Sequence, residues 1–214
     1  VTTGVGRDII SVGAGANTIT SGAGDDVVSV IGGANTLTAG EGLDRLVIDY
    51  SAFSTNMLSS PLTGATSHIG SFGDSSTNIL TCTAVEEFHI TTGSGNDNIV
   101  TGAGVDILNG GTGTNTISAG GGSDLIYGNV GDTIDGGENA DNTDIDVLDL
   151  THVGLYEIVL DSPENGTVYK LDASENRIGS LTFINIESIV GGLVLDGEPL
   201  NDGGLVLDGE PLND

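Results

Sequence analysis

The chain has 214 residues, with 31 Asp and Glu against 4 Lys and Arg, for a formal net charge of −27. A chain this acidic, without a basic patch, excludes nucleic acid as a partner, and no apolar run is long enough to span a membrane as a helix. The single cysteine, Cys82, forbids an internal disulfide, and 4 % aromatic residues with no Trp imply a core of small aliphatic layers.

Residues 1–47 carry a nine-residue repeat, x-Gly-x-Gly-x-Asp/Asn-x-apolar-x. It begins with Thr3-Gly4-Val5-Gly6-Arg7-Asp8-Ile9-Ile10-Ser11 and restarts at Val12, Ser21, Val30 and Ala39. The first six residues of a unit are glycine-rich and predict a tight turn, because glycine tolerates positive φ and close backbone approach. The last three predict a short strand whose middle residue points inward: Ile10, Ile19, Val28, Leu37 and Leu46. One such strand cannot bury its own apolar face, so successive units must stack. Odd and even strands then form two facing parallel sheets, with residues eighteen apart directly above one another.

Residues 48–91 interrupt the repeat. Leu46–Tyr50 and Val85–Ile90 read as strands that continue the stack, and the Ser/Thr/Gly-rich stretch between them, with Pro61, reads as a lateral hairpin. The repeat returns over 92–135, starting Thr92-Gly93-Ser94-Gly95-Asn96-Asp97-Asn98-Ile99-Val100, with units at Thr101, Gly110 and Ala119. The unit at Gly128 is one residue short, which suggests that the stack is ending. Residues 136–190 show alternating strands and an Asn165-Gly166 hairpin signal, and predict an antiparallel C-terminal cap over the exposed sheet edge. Residues 191–214 are one twelve-residue segment written twice, which reads either as an acidic tail or as a strand docking on a neighbouring subunit.

Stacking sets Asp upon Asp at about 4.8 Å. Such carboxylates repel unless a cation lies between them. Hard oxygen donors, including backbone carbonyls of the turns, select calcium over magnesium, which demands a tighter octahedron and keeps its waters.

The recurring Gly-x-Gly-x-Asp units, with doubled glycines at Gly110-Gly111 and Gly136-Gly137, resemble the hemolysin-type calcium-binding (RTX) repeat family over roughly 3–47 and 92–135. That resemblance implies an all-β, right-handed parallel β-roll with several Ca²⁺ ions between turns, and secretion through a type I exporter without an N-terminal leader. Ions in the family take turn carbonyls plus the Asp of two turns. Carried over, one site uses Thr3, Val5 and Asp8 with Gly22, Gly24 and Asp26; a second uses Ser21, Ala23 and Asp26 with Gly40, Gly42 and Asp44. A third uses Thr101, Ala103 and Asp106 with Gly120, Gly122 and Asp124. Asp97 and Asp132 are further candidate ligands, although Asn115 stands between them. Asp141 and Asp146, with Asp144, form either another calcium site or a solvated acidic loop. Asn17 and Asn35 alternate with Asp8, Asp26 and Asp44, so one edge of the first array is expected to carry a neutral amide ladder instead of ions.

His68, His89 and His152 are scattered without metal spacing, and no Gly-x-Gly completes a nucleotide loop, so no enzyme activity is expected. Two functions fit. One is a calcium-folded module of a secreted bacterial protein, extracellular or on the cell surface, that aids export, folding and display. The other is a structural subunit of a calcium-dependent matrix, adhesin or filament, self-associating through roll ends or the tail.

Overall fold

Ile9 pairs with Val27, and Val27 with Arg45, in parallel register, an offset of eighteen at each step. The even strands repeat it: Asn17 pairs with Asn35 and Ile19 with Leu37. The coil of nine-residue units is thus observed directly. The computed structural model describes residues 1–59, 68–74, 76–191, 193–194 and 206–208.

The first array supplies β1 (Ile9–Val12), β2 (Asn17–Ala23), β3 (Val27–Val30), β4 (Ala34–Glu41) and β5 (Arg45–Asp49). The interruption supplies β6 (Leu58–Ser59), β7 (His68–Gly73) and β8 (Ile79–Val85). Then follow β9 (Glu87–Thr91), β10 (Asn98–Val100), β11 (Ile107–Asn109), β12 (Thr116–Ser118), β13 (Leu125–Tyr127), β14 (Thr133–Asp135) and β15 (Val147–Asp149). The C-terminal part holds β16 (Leu155–Ser162), β17 (Asn165–Leu171), β18 (Arg177–Ile184), β19 (Ser188–Val190), β20 (Leu193–Val194) and β21 (Val206–Asp208). Two sheets result, one ordered β1-β3-β5-β9-β11-β13-β15-β19-β21 and the other β2-β4-β8-β7-β6-β10-β12-β14-β18-β17-β16-β20. Among the described residues there is no helix, hence none long and apolar enough to cross a membrane.

Each strand turns one side chain inward, as its alternation predicts. Ile10, Val28, Leu46, Phe88, Leu108, Ile126, Leu148 and Ile189 fill the core from the first sheet, and Ile19, Leu37, Cys82, Ile99, Ile117, Ile134 and Phe183 from the second. The outer face of the second sheet carries threonines in register: Thr18, Thr36 and Thr81 in one rank, Thr20, Thr38 and Thr83 in the next. β-branched side chains suit such a pleated, half-exposed surface.

Two antiparallel ribbons interrupt the coil in the same way. β8 pairs antiparallel with β7, and β7 with β6, between β5 and β9 in chain order. β18 pairs antiparallel with β17, and β17 with β16, between β15 and β19. The corner entering each ribbon is built alike. Asp49 Oδ1 accepts from the N–H and hydroxyl of Ser51, and Asp149 Oδ1 from those of Thr151. The Phe53 N–H then donates to the Tyr50 carbonyl, and the Val153 N–H to that of Leu150.

The structure revises two expectations here. Residues 136–190 contain the expected ribbon, but strands follow it on both sheets: β19 pairs with β15 and β20 with β16. The ribbon therefore lies within the stack, as the first one does. Its tight turn is Pro163-Glu164, since Ser162 pairs with Asn165. Asn165 and Gly166 belong to β17, where the Asn165 carboxamide oxygen accepts the Asn185 N–H at 2.9 Å. The first segment's excursion falls partly on 60–67, outside the described residues, as does most of 191–214. Val206–Asp208 pairs parallel with β19 in the same chain.

Glycine is required where turns touch. At Gly40, φ is +123°, and a Cβ would collide with the Gly22 carbonyl oxygen; Gly22 meets Gly4 in the same way. Gly13, in contrast, faces open space. Gly40→Ala is therefore expected to lower the calcium-loaded unfolding midpoint sharply, with Gly13→Ala close to wild type. Leu37→Ala, at a position 1 % exposed, should cost about 2–5 kcal/mol in denaturant titrations in calcium.

Candidate metal centre

The sixth residue of each odd unit lies just before a strand of the first sheet. Parallel pairing at eighteen residues places these acids in a column, and the hydrogen bonds follow a fixed rule. The backbone N–H of one acid donates to the carboxylate of the next. Asp8 N–H donates to Asp26 Oδ1 at 2.8 Å, Asp26 N–H to Asp44 Oδ1 at 2.9 Å, and Asp44 N–H to Glu86 Oε2 at 2.9 Å. A second column repeats the rule. Phe88 N–H donates to Asp106 Oδ1 at 2.7 Å, Asp106 N–H to Asp124 Oδ1 at 2.7 Å, Asp124 N–H to Asp146 Oδ1 at 2.8 Å, and Asp146 N–H to Glu187 Oε2 at 2.6 Å. The two columns share one edge but are offset by two residues along β9, because Arg45 pairs with Glu87 whereas Ile107 pairs with His89.

One oxygen of each carboxylate is thus used. The other is buried without a partner: Oδ2 of Asp26, Asp44, Asp106, Asp124 and Asp146. Leaving a buried charged oxygen unsatisfied costs more than a hydrogen bond returns. The turns bring carbonyls to the same edge. Ala23 N–H donates to the Gly4 carbonyl at 3.0 Å and Gly6 N–H to the Ala23 carbonyl at 2.6 Å; Gly121 and Gly102, then Gly104 and Gly121, repeat this pattern. Thr3 Oγ1 reaches the Ser21 carbonyl, and Thr101 Oγ1 the Ala119 carbonyl at 2.7 Å. A carbonyl oxygen has two lone pairs, so each retains one after such a bond. Orphaned carboxylate oxygens beside free carbonyl lone pairs are a donor set that fits a hard divalent cation, calcium above all.

The structure stacks the turns of all three predicted sites. Val5 bridges Ala23 in parallel, and Ala103 bridges Gly121. Gly22 and Gly24 rest on the carbonyls of Gly4 and Gly6, Gly40 and Gly42 on those of Gly22 and Gly24, and Gly120 and Gly122 on those of Gly102 and Gly104. The Val5 side chain is 90 % exposed, so only its backbone can contribute.

The opposite edge differs. Asn17 Nδ2 donates to Asn35 Oδ1 at 2.8 Å, and Asn35 Nδ2 to the Gly32 carbonyl at 2.8 Å, forming the expected neutral ladder. Asp97 Oδ1 accepts Met57 N–H at 2.7 Å, and its Oδ2 is buried and unpartnered. Both Asp132 oxygens are engaged: Oδ1 by the N–H and carboxamide of Asn115, Oδ2 by Asn129 N–H at 2.8 Å. Asp141 is exposed and accepts from Thr143 Oγ1, away from the column that Asp146 joins.

Glu86, Glu187 and Asp144 are the site residues that the nonapeptide pattern does not reveal. Asp144 is buried beside the column, its Oδ2 accepting Asn139 N–H at 2.8 Å. The two glutamates stand 42 and 41 residues beyond Asp44 and Asp146. The signal available was the likeness of the segments around Asp44 and Asp146, each followed at nearly the same distance by an apolar residue and Glu (Val85-Glu86 and Ile186-Glu187).

Residues 2–30, 89–117, 100–134 and 109–142 match the family model of the RTX calcium-binding nonapeptide repeat, in four copies. No curated protein matches the chain. The matched segments include Asp8, Asp26, Asp106 and Asp124, while Asp44, Glu86, Asp146 and Glu187 lie outside them. A mostly parallel all-β coil with stacked turn acids defines a calcium-binding repeat protein. The repeats in this one are RTX calcium-binding nonapeptides.

Desolvation raises the carboxyls of the second column far above the usual range: Asp106 to about 7, Asp124 to about 8 and Asp146 to about 7, with neighbouring acids adding to the shift for Asp124 and Asp146. An unfolded Asp titrates near about 3.9. The folded chain therefore binds more protons than the unfolded chain between these limits, and without calcium this contribution to stability falls as pH rises through about 7 to 8. In chelator, the thermal midpoint is expected to drop between about pH 5 and pH 8.5. In calcium the trend should reverse, since the metal needs the deprotonated acids. A midpoint in chelator that climbs with pH would contradict this ordering.

Proposed function

We propose that this chain is a calcium-folded β-roll module of a secreted protein, and that calcium-coupled folding serves its export, folding and extracellular display. The observation that supports this most is the run of buried, unpartnered carboxylate oxygens at Asp26, Asp44, Asp106, Asp124 and Asp146. At a net charge of −27 such a chain resists compaction where calcium is scarce, because self-repulsion opposes collapse. That condition suits passage through an exporter as an extended chain. Outside the cell, millimolar calcium bridges the turns, and the metal's binding free energy becomes folding free energy. The coil is taken as right-handed, the hand of nearly all parallel crossover connections. Its role is binding and scaffolding, without catalysis.

Circular dichroism in chelator should show mostly coil, converting to β-structure in millimolar calcium; a fully folded chain in chelator would overturn the proposal. Asp26 lies between two neighbouring sites, bonded to Asp8 on one side and Asp44 on the other. Asp26→Ala should therefore lose more bound calcium in equilibrium dialysis than Asp8→Ala, whose side chain is partly exposed at the start of the column. Equal losses would count against the shared stack.

A further inference from the structure

The two columns end differently. Each closes on a glutamate, Glu86 or Glu187, that accepts the N–H of the last Asp. At the second closure two more acids converge. Ligand oxygens of Glu138, Glu164 and Glu187 lie within 4.8 Å of one another, the one such grouping of three among the described residues. They come from three separate elements: Glu138 from the loop between β14 and β15, Glu164 from the Pro163-Glu164 turn of the second ribbon, and Glu187 from the residue before β19.

Adjacent acids alone do not make a site. The independent observation is Asp146. It is fully buried, its N–H is held by Glu187 Oε2, its Oδ1 is taken by Asp124 N–H, and its Oδ2 has no partner. Its charge is felt by Glu187 and Glu138, so the orphaned carboxylate sits beside the three glutamates. No base neutralises the group: the ion pairs among the described residues are Arg45–Glu87 and Arg177–Glu157, both elsewhere. The ribbon turn is already positioned, since Ile186 N–H donates to the Glu164 carbonyl at 3.0 Å and Asn185 N–H to the Asn165 side chain at 2.9 Å. Neutral hydrogen bonds thus hold Glu164 against the roll in an orientation that its charge opposes.

We infer that Glu138, Glu164 and Glu187, with the free oxygen of Asp146, form a divalent-cation site of the calcium class that ties the second ribbon to the roll. Oxygen-only donors of high charge density select a hard cation. The site lies outside the nonapeptide turns and uses a side chain from the ribbon, so its ion couples ribbon docking to the calcium that folds the coil. It rests on the calcium-folding reading above.

The test uses the full chain in calcium. Glu164→Gln is compared with wild type and with Glu175→Gln, an equal charge change on the exposed turn at the other end of the ribbon. Three readouts are taken: calcium bound at saturation, β-structure by circular dichroism, and hydrogen exchange over residues 155–184. The expected result for Glu164→Gln is one ion fewer and faster exchange confined to the ribbon, with the coil's calcium-induced signal retained and Glu175→Gln like wild type. Unchanged stoichiometry and protection, or equal losses in the control, would overturn the site while leaving the calcium-folded roll standing. A wild-type chain that binds no calcium would instead remove the reading beneath it. If Glu164→Gln does not fold, Glu138→Gln, an exposed loop position, gives the same discrimination.

Discussion

Everything in this chain depends on carboxylates stacked at strand spacing. Parallel pairing at an eighteen-residue offset forces Asp8, Asp26 and Asp44, then Asp106, Asp124 and Asp146, into columns. One oxygen of each is satisfied by a backbone N–H from the neighbouring turn, which fixes the turn's position. The other is buried and unpaired, which makes the same geometry costly without a cation. The fold is therefore conditional. Its aliphatic layers are thin, and the balance between packing and repulsion is left to the metal.

The opposite edge shows what happens when that condition is relaxed. Asn17 and Asn35 carry both donor and acceptor, so they bond along the stack as neutral amides. Asn115 likewise links Asp97 and Asp132, its N–H and carboxamide both donating to Asp132. Each Asn at the sixth motif position replaces a need for charge compensation with an internal hydrogen bond. The two edges of one coil thus divide the labour, one depending on calcium and the other on amide pairing.

Each acidic column is followed by an antiparallel ribbon and closed by a glutamate after it. A ribbon lets the chain leave the coil and return without losing the column, because the long Glu side chain reaches back across the excursion to the waiting Asp N–H. The matching corners at Asp49 and Asp149 and the nearly equal spans from Asp44 to Glu86 and from Asp146 to Glu187 describe one architectural unit used twice. The second use differs in gathering Glu138 and Glu164 around its closure.

The sequence by itself determined the coil. A strict period with one apolar residue per strand, glycine where turns touch and Asp at a fixed position leaves few other ways to bury the aliphatic side chains, and the three stacked turn pairs were legible from it. The amide ladder was legible too, because Asn and Asp alternate in register. Only the tertiary structure decided where the period fails. That Glu86 and Glu187 complete the columns, that the second ribbon lies inside the stack, and that its turn falls at Pro163-Glu164 all depend on pairings across about forty residues. The two-residue offset at β9 likewise depends on how β5 and β11 each dock on it. Local pattern carries no record of such distances, because the register of a returning strand is chosen by the neighbour it meets and not by its own residues.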